Sequence, residues 1–343
     1  MKIILIKIGI FILNIIYFFI KLFPINKNKV TFISRQSNEV SLDFTMIAKE
    51  LKQQNENIKI VFLCKKLGTS FSEKVKYCFH MVKQMYNIAT SKVVILDSYC
   101  IPVCVLKQKK KLVVIQIWHA LGSLKKFGYS SLDKKDGRNS KLAKAMKMHR
   151  NYTYILTSSN LSKKFFKEAF NARDEQMLVM NLPRVDFLKS EKEQEKMRIR
   201  FVGVYPETNN KKQNILYCPT NRKGQKIPIE NIVKDIPLDK YNFIAKLHDG
   251  TEVIYVKGKK IEKTSNFTGM ELLHVADYII TDYSAIVYEA AITQKPIYFY
   301  TYDYEEYQIN RGTYIDYMSE MPGPICKDFK EIMKMIEENK YDK

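Results

Sequence analysis

Acid is what this 343-residue chain has least of relative to its opposite: 36 Asp and Glu face 57 Lys and Arg, a net charge of +21. That imbalance implies attraction to polyanions, whether nucleic acid, anionic lipid or an anionic polymer, and says nothing of fold. Glycine is scarce at 12 residues, and neither GxGxxG nor GxxxxGK[ST] occurs, so the usual dinucleotide and NTPase phosphate loops are absent. The six cysteines (Cys64, Cys78, Cys100, Cys104, Cys218, Cys326) form no CxxC pair, and four lie in or beside apolar runs. They read as buried reduced thiols, which fits a reducing cytoplasmic compartment. The five histidines (His80, His119, His149, His248, His274) show no HxxxH or HExxH spacing, which argues against a zinc site. Long hydrophobic runs are missing except at the N-terminus, which excludes a polytopic membrane protein. At 46% hydrophobic, 12% aromatic and 27% charged, the composition is near that of globular proteins and excludes disorder.

What is present is unevenly spread. Residues 107–173 carry 17 Lys/Arg against three acids, whereas from Phe267 onward 14 acids outnumber seven bases. Residues 3–23 are apolar apart from Lys7, Gly9, Asn14 and Lys21 and precede Pro24 and a basic NKNK segment. About 20 such residues can span a bilayer, although Lys7 and Asn14 are costly in hydrocarbon. The expectation for 1–25 is a membrane anchor or interfacial helix, with a buried first helix as the alternative. No small-residue cleavage site comes after it. Lys21, Lys27 and Lys29 favour a cytoplasmic location for the remainder.

Beyond Pro24, short β-branched runs alternate with amphipathic stretches. The runs at 30–34, 58–64, 92–97, 112–118 and 152–158 read as one strand series, and those at 214–220, 241–248, 277–282 and 295–300 as a second. DFKEIMKMIEENK near the end reads as a helix. Alternation of this kind predicts α/β architecture with parallel sheets. The polar stretch 189–213 reads as a connector between an N-terminal domain (26–188) and a C-terminal domain (214–343). His119, Ser158, Thr220, His248 and Asp282 all come directly after apolar runs. Ligands of open α/β sheets bind at the carboxyl ends of strands, so two such sheets facing each other would form a cleft.

Three constellations carry candidate chemistry. In Trp118-His119-Ala120-Leu121-Gly122, with Lys125-Lys126 just beyond, a strand-end histidine can take a proton from a hydroxyl while lysines offset phosphate charge. Taken alone, a strand-end histidine is more often a structural hydrogen-bonder than a catalyst. Thr281-Asp282-Tyr283-Ser284 sits at a strand-to-helix turn where Ser284 could cap the helix or the turn could receive a phosphate. Cys218-Pro219-Thr220-Asn221-Arg222 and Lys246-Leu247-His248 also end strands, with Arg222 as a phosphate fork and His248 beside a leaving oxygen. Lys135, Arg138, Lys141, Lys144, Lys147 and Arg150 recur every three residues. On an α-helix they would make a basic sleeve suited to anionic headgroups or a polyanionic acceptor; the alternative is a solvated helix or loop.

The ordered set WHALGSLKKFGY (118–129), TSS (157–159), NLPRVDFL (181–188), YCPTNR (217–222), KLH (246–248), TDYSAIVYEAAITQKPIYFYTYDYEEYQINRG (281–312) and PGP (322–324) resembles the CDP-glycerol glycerophosphotransferase family of teichoic acid primases and polymerases. The resemblance covers roughly residues 30–335. It implies a GT-B-like fold of two Rossmann-like domains facing a cleft, with the acceptor on the first domain and the donor on the second. It also implies polyol-phosphate transfer from CDP-glycerol or CDP-ribitol to a lipid-linked or polymeric acceptor, at the cytoplasmic face of the cell membrane. On that pattern His119 is the general base. His248 is the second catalytic residue, at the donor pyrophosphate, and Thr220, Arg222, Lys246, Thr281, Asp282, Ser284 and Glu289 belong to the donor side, with Asp282 ordering its turn. Lys125, Lys126, Lys135, Arg138, Lys141 and Lys144 face acceptor or membrane. Asp303 and Glu289 match acidic positions of the family. No cofactor is required, no DxD motif demands a metal, and Mg²⁺ remains compatible. The chain departs from the family at Ala120 (usually Gly), Lys246 (commonly Arg), Ala285 (a second Ser) and Tyr288-Glu289 (usually FD). These leave the polyol open. The competing readings are a GT-B glycosyltransferase using a CMP- or UDP-sugar, an inactive membrane-tethered paralogue, and a nucleic-acid-binding protein, for which no motif exists.

Overall fold

The computed structural model describes residues 2–68, 70–222, 227–247, 251–264 and 266–341. The β-branched runs become strands of two sheets, in two units, Met1–Arg184 and Val185–Lys343. The N-terminal apolar stretch is helix α1 (Lys2–Ile20). Residues recurring at helical spacing along one side of it are partly covered, and Tyr17 is buried, its hydroxyl donating to Gln108 Oε1 at 2.6 Å. Asn14 donates to the carbonyl of Ile10 at 2.7 Å, so its amide is satisfied within the helix. Residues 3–20 are long and apolar enough to cross a membrane by length and composition.

In the first unit β1 (Asn26–Ser34) leads through α2 (Leu42–Gln54) to β2 (Lys59–Cys64), and α3 (Phe71–Thr90) returns the chain to β3 (Ser91–Leu96). Next come α4 (Ile101–Val105), β4 (Val113–Gln116), α5 (Ser140–Ala145), β5 (Tyr154–Thr157), α6 (Asn160–Phe170) and β6 (Met177–Val179). All pairs are parallel and the order is β2-β1-β3-β4-β5-β6. The chain winds outward from β1 in one direction, then from β3 in the other. The switch between β1 and β3 is where an open sheet of this kind leaves a crevice beyond its strand ends.

Helix α7 (Arg184–Lys189) lies at the boundary of the two units. The stretch expected as a connector, 189–213, is instead largely α8 (Glu191–Val204), capped by Ser190 and packed on α10 (below) through an edge that buries Met197 and Phe201. Its charges occupy the solvent face, which is why the composition looks like a linker. The second unit continues with β7 (Gln213–Cys218), α9 (Ile229–Val233), β8 (Tyr241–Lys246), β9 (Thr251–Val256), β10 (Lys259–Thr264), α10 (Gly269–Val275), β11 (Tyr278–Thr281), α11 (Ile286–Ile292), β12 (Ile297–Tyr300), α12 (Tyr304–Asn310), α13 (Tyr317–Glu320), β13 (Ile325–Cys326) and α14 (Phe329–Glu337). Its order is β10-β9-β8-β7-β11-β12-β13. Only β9 and β10 run antiparallel to their neighbours. They join through Lys257 and Gly258, both at positive φ, as a tight hairpin requires. Tyr217, Phe243 and Phe329 centre this unit's core, with Ile332, Met333 and Ile336 of α14 closing one face. The switch point here lies between β7 and β11.

The basic segment 135–150 does not form a helical sleeve. Only Ser140–Ala145 is α-helical, and Lys147, His149 and Asn151 adopt positive φ, which an α-helix cannot accommodate. All six cysteines are free thiols; Cys78 is exposed, Cys64 half-buried and the other four buried.

Candidate functional site

In the first unit the loop leaving the end of β4 places the functional side chains. Gln116 is fully buried; it donates to the carbonyl of Ser98 at 3.1 Å and accepts from the Trp118 amide at 3.0 Å. Trp118 then takes φ of 60°, a strained conformation for a bulky residue. The strain is held by packing: the indole stacks on Phe127 at 4.8 Å and meets Phe170 edge-on at 5.1 Å. Ser158, at the end of β5, donates its hydroxyl to the carbonyl of Leu121 and ties down the same loop.

The bend presents His119. Its Nδ1 lies 2.8 Å from the carbonyl oxygen of Asp97, beyond β3, and 3.2 Å from Gln36 Nε2. A carbonyl only accepts, so Nδ1 carries the proton and Nε2 keeps its lone pair. The side chain is open to solvent, yet the protein gathered around it pushes the imidazole down to about 4. The Asp97 carbonyl opposes that shift, and the charges of Arg184 and Lys125 add to it. His119 is thus neutral at pH 7 and suited to accept a proton.

Arg184 fixes the loop from below. Its Nε donates to Asp43 Oδ2 at 2.9 Å, its Nη2 to the same oxygen, and its amide to Asp43 Oδ1 at 3.0 Å. Nη1 donates to the carbonyl of His119 at 3.0 Å. Both partners are buried. Sequence reasoning missed Asp43, Asp97 and Gln36, and took NLPRVDFL only as a block; nothing in local pattern links positions 43 and 184. Asp97 is buried beside Ser34 and Ser98, and burial pushes its carboxyl up to about 6.

In the second unit the switch point gathers Thr220, Arg222, Asp282 and Asp303. Asp282 accepts from the Thr220 amide at 2.8 Å and from Arg222 Nη1 at 2.8 Å. Arg222 Nη2 donates to Asp303 Oδ1 at 2.9 Å and Nε to Asp303 Oδ2. Tyr283 donates to Asp303 Oδ1 at 3.1 Å, while Tyr302 lies 4.9 Å from the guanidinium. Burial alone would lower the Arg222 pKa, but the bonds to Asp303 and the charges of both carboxylates raise it.

These contacts redistribute the expected roles. The Arg222 fork, expected on a phosphate, donates here to two carboxylates, Asp282 and Asp303. Asp282 orders its turn through the Thr220 amide. Thr281 is fully buried and donates its hydroxyl to the carbonyl of Cys218 at 2.8 Å, a bond between neighbouring strands. Lys246 pairs with buried Glu252 at 3.2 Å. Glu289 is buried on α11. Ser284 does not cap that helix in the usual way; its oxygen is 3.5 Å from the Ile286 amide, and Ala285 occupies the cap position. The Thr220 hydroxyl is buried and has no hydrogen-bond partner among the described residues. His248 lies outside the described residues. On the first unit Lys125 reaches His119 electrostatically, whereas Lys135, Lys141 and Lys144 are exposed surface. Among the described residues no cluster of three or more His, Cys, Asp or Glu side chains could hold a metal ion.

Comparison with known proteins places this geometry. The chain is 30% identical to a teichoic acid ribitol-phosphate primase of Bacillus spizizenii over 92% of its own length and 84% of the relative's. It is 32% identical to a teichoic acid glycerol-phosphate primase of Bacillus subtilis, over 75% of this chain and 68% of that one. Among solved structures, the wall teichoic acid polymerase TagF superposes with a TM-score of 0.71 at 18% identity, covering 98% of this chain and 87% of TagF. A UDP-GlcNAc 2-epimerase of Methanocaldococcus jannaschii shares the fold more distantly, with a TM-score of 0.54 at 14% identity, over 90% of this chain and 92% of its own. Residues 15–343 match the family described as CDP-Glycerol:Poly(glycerophosphate) glycerophosphotransferase, and the chain belongs to that family.

Proposed function

We propose that this chain transfers a polyol phosphate from a CDP-activated donor to a hydroxyl of a lipid-linked or polymeric acceptor in teichoic acid synthesis, releasing CMP. The observation that carries the reading is the neutral, Nδ1-protonated His119 with its Nε2 lone pair available at the carboxyl end of the first sheet. Nε2 takes the proton from the acceptor hydroxyl as its oxygen attacks the polyol-side phosphorus. A new O–P bond forms, the bond to the bridging oxygen breaks, and CMP leaves with that electron pair. Donor binding belongs to the second unit, where the Thr220 hydroxyl has no partner among the described residues and Ser284 borders the same loops. Arg222, Asp282 and Asp303 hold those loops in shape and do not themselves receive the pyrophosphate. Catalysis of phosphoryl transfer rests on such positioning and charge compensation. The chain works at the cytoplasmic face of the membrane, with α1 and the basic first unit against anionic lipid.

The test is CMP release from CDP-glycerol and CDP-ribitol side by side, with and without a lipid-linked acceptor, and with nucleotide sugars as controls. Turnover of one CDP-polyol that depends on acceptor is expected, and His119→Ala should reduce it by about 100-fold or more. Release from nucleotide sugars alone would overturn the reading, and full activity of His119→Ala would remove His119 as base. The same assay with EDTA determines whether Mg²⁺ contributes.

A further inference from the structure

Arg35 is the first residue beyond β1, at the switch between β1 and β3. Its amide donates to Ser98 Oγ at 2.9 Å, one residue past the Asp97 carbonyl that holds His119, and the next side chain, Gln36, contacts the His119 ring. Arg35 is therefore built into the same strand-end framework as the candidate base. Its guanidinium carbon lies 5.5 Å from the centre of the Tyr99 ring, and that of Arg138 lies 5.6 Å from the same ring. Tyr99 is immobilised, its hydroxyl donating to the carbonyl of Met146 at 2.8 Å.

Two guanidinium groups on one tyrosine repel each other, and the Arg35 charge is among the causes that lower the Arg138 pKa, after burial. Natural proteins answer such a pair with a carboxylate, as Arg184 and Arg222 have here. Among the described residues neither Arg35 nor Arg138 forms an ion pair. The neighbouring carboxyl, Asp97, is set against Ser34 and Ser98. Arg35 Nε is shielded from solvent and has no hydrogen-bond acceptor among the described residues. Near its charge, the Tyr77 hydroxyl and the Gln84 amide are buried against each other. Buried polar atoms are satisfied in more than nine cases in ten, so an orphan guanidinium nitrogen beside a second arginine with no carboxylate partner marks a place for a group with acceptor oxygens and negative charge. The position agrees, because switch points are where sheets of this topology bind ligands.

We propose that Arg35 and Arg138, flanking Tyr99, form a phosphate subsite of the first unit that holds a phosphate ester of the acceptor next to the hydroxyl His119 activates. This rests on the transferase reading above. Arginine suits the task because its planar fork grips two phosphate oxygens at once while its face lies on an aromatic ring. The subsite distinguishes an acceptor already bearing phosphate from a neutral polyol.

Two measurements on the full chain test it. Calorimetric titration with glycerol 3-phosphate and with inorganic phosphate needs no donor. Wild type should bind, Arg35→Gln and Arg138→Gln should each weaken binding by about tenfold or more, and Arg35→Lys should fall between. In steady-state turnover with a soluble phosphorylated acceptor, the same variants should raise the acceptor KM by a similar factor and leave the donor KM in place. Arg138 lies on a loop outside the regular elements, so its variant carries the test should Arg35→Gln fail to fold. Equal phosphate binding by wild type and both variants overturns the subsite, as does a shift in donor KM alone. A loss confined to phosphatidylglycerol vesicles, with soluble acceptor unaffected, also overturns it and reassigns the arginines to lipid headgroups. Absent turnover with the binding difference intact would sink the transferase reading and leave the phosphate site standing.

Discussion

At the scale of single residues, the candidate site at the end of the first sheet is defined as much by main chain as by side chains. His119 was legible in the sequence because a histidine directly after an apolar run stands at a strand end. Its partner was not, because Asp97 acts through its carbonyl, a group every residue has. The lowered His119 pKa has a measurable consequence: the base form persists as the solution is acidified. The limb of kcat/KM attributable to His119 should lie well below pH 6.5, near 4. A limb at the ordinary histidine value would show that the ring is solvated like a free imidazole. Asp97 carries an independent prediction. Its folded pKa, about 6, is above the ordinary value of 3.8, so the folded state binds this proton more tightly than the unfolded chain does. The stability it contributes is present below about pH 4 and is lost as pH rises through 6. Asp97→Asn abolishes that titration and leaves the carbonyl that holds His119 in place. At pH 7.5 the variant should be more stable than wild type by about 1–3 kcal/mol, with the gain vanishing toward pH 4. Urea midpoints at the two pH values give the answer, and a variant less stable at pH 7.5 would contradict the burial argument.

At the scale of elements, periodicity located nearly every buried parallel strand, because a strand covered on both faces is a continuous β-branched run. The hairpin of β9 and β10 escaped, since TEVIYV and KKIEKT mix charge with apolar residues and lie at the sheet edge. Strand β6 has only three residues, too few for a pattern. The basic repeat at 135–150 misled because even spacing of charge says nothing of the backbone φ that breaks the helix. Long-range pairing was equally invisible, as the Asp43–Arg184 and Arg222–Asp303 bonds span 141 and 81 positions. The first of these joins α2, the start of α7 and the His119 loop. Arg184→Met leaves Asp43 buried without its counter-charge, and removal of one partner from such a pair costs about 3–5 kcal/mol. It also releases the His119 carbonyl, so kcat should fall together with the denaturation midpoint. Ser41→Ala offers the contrast: it removes the N-cap of the same α2 and should cost about 1 kcal/mol while kcat holds. If both variants lowered kcat in proportion to stability alone, Arg184 would be structural cement with no bearing on the base.

At the scale of the whole molecule, the charge excess now has an address. The stretch that is most basic, 107–173, lies within the first unit, and the acidic stretch from Phe267 belongs to the second. The first unit also carries α1, whose Phe11, Phe18 and Phe19 are 60–66% exposed, and α3, which packs on α1 and exposes Phe71 and Phe79. Apolar surface and basic charge on one unit act on a bilayer through different physics. Lysines near an anionic surface contribute about 1 kcal/mol each, but screening shortens their reach from about 10 Å at 0.1 M salt to about 3 Å at 1 M. Buried apolar area is not weakened by salt in this way. Wild-type chain should therefore bind phosphatidylglycerol vesicles at low salt and remain largely bound at high salt. A chain lacking residues 2–22 should bind the same vesicles at low salt, release from them as salt rises, and ignore neutral phosphatidylcholine. Charge reversal at the exposed Lys141 and Lys144 in the truncated chain should weaken the low-salt binding further. Salt-resistant binding by the truncated chain would place the membrane contact elsewhere, on α3, and salt-insensitive failure to bind would show that the basic face serves the acceptor alone.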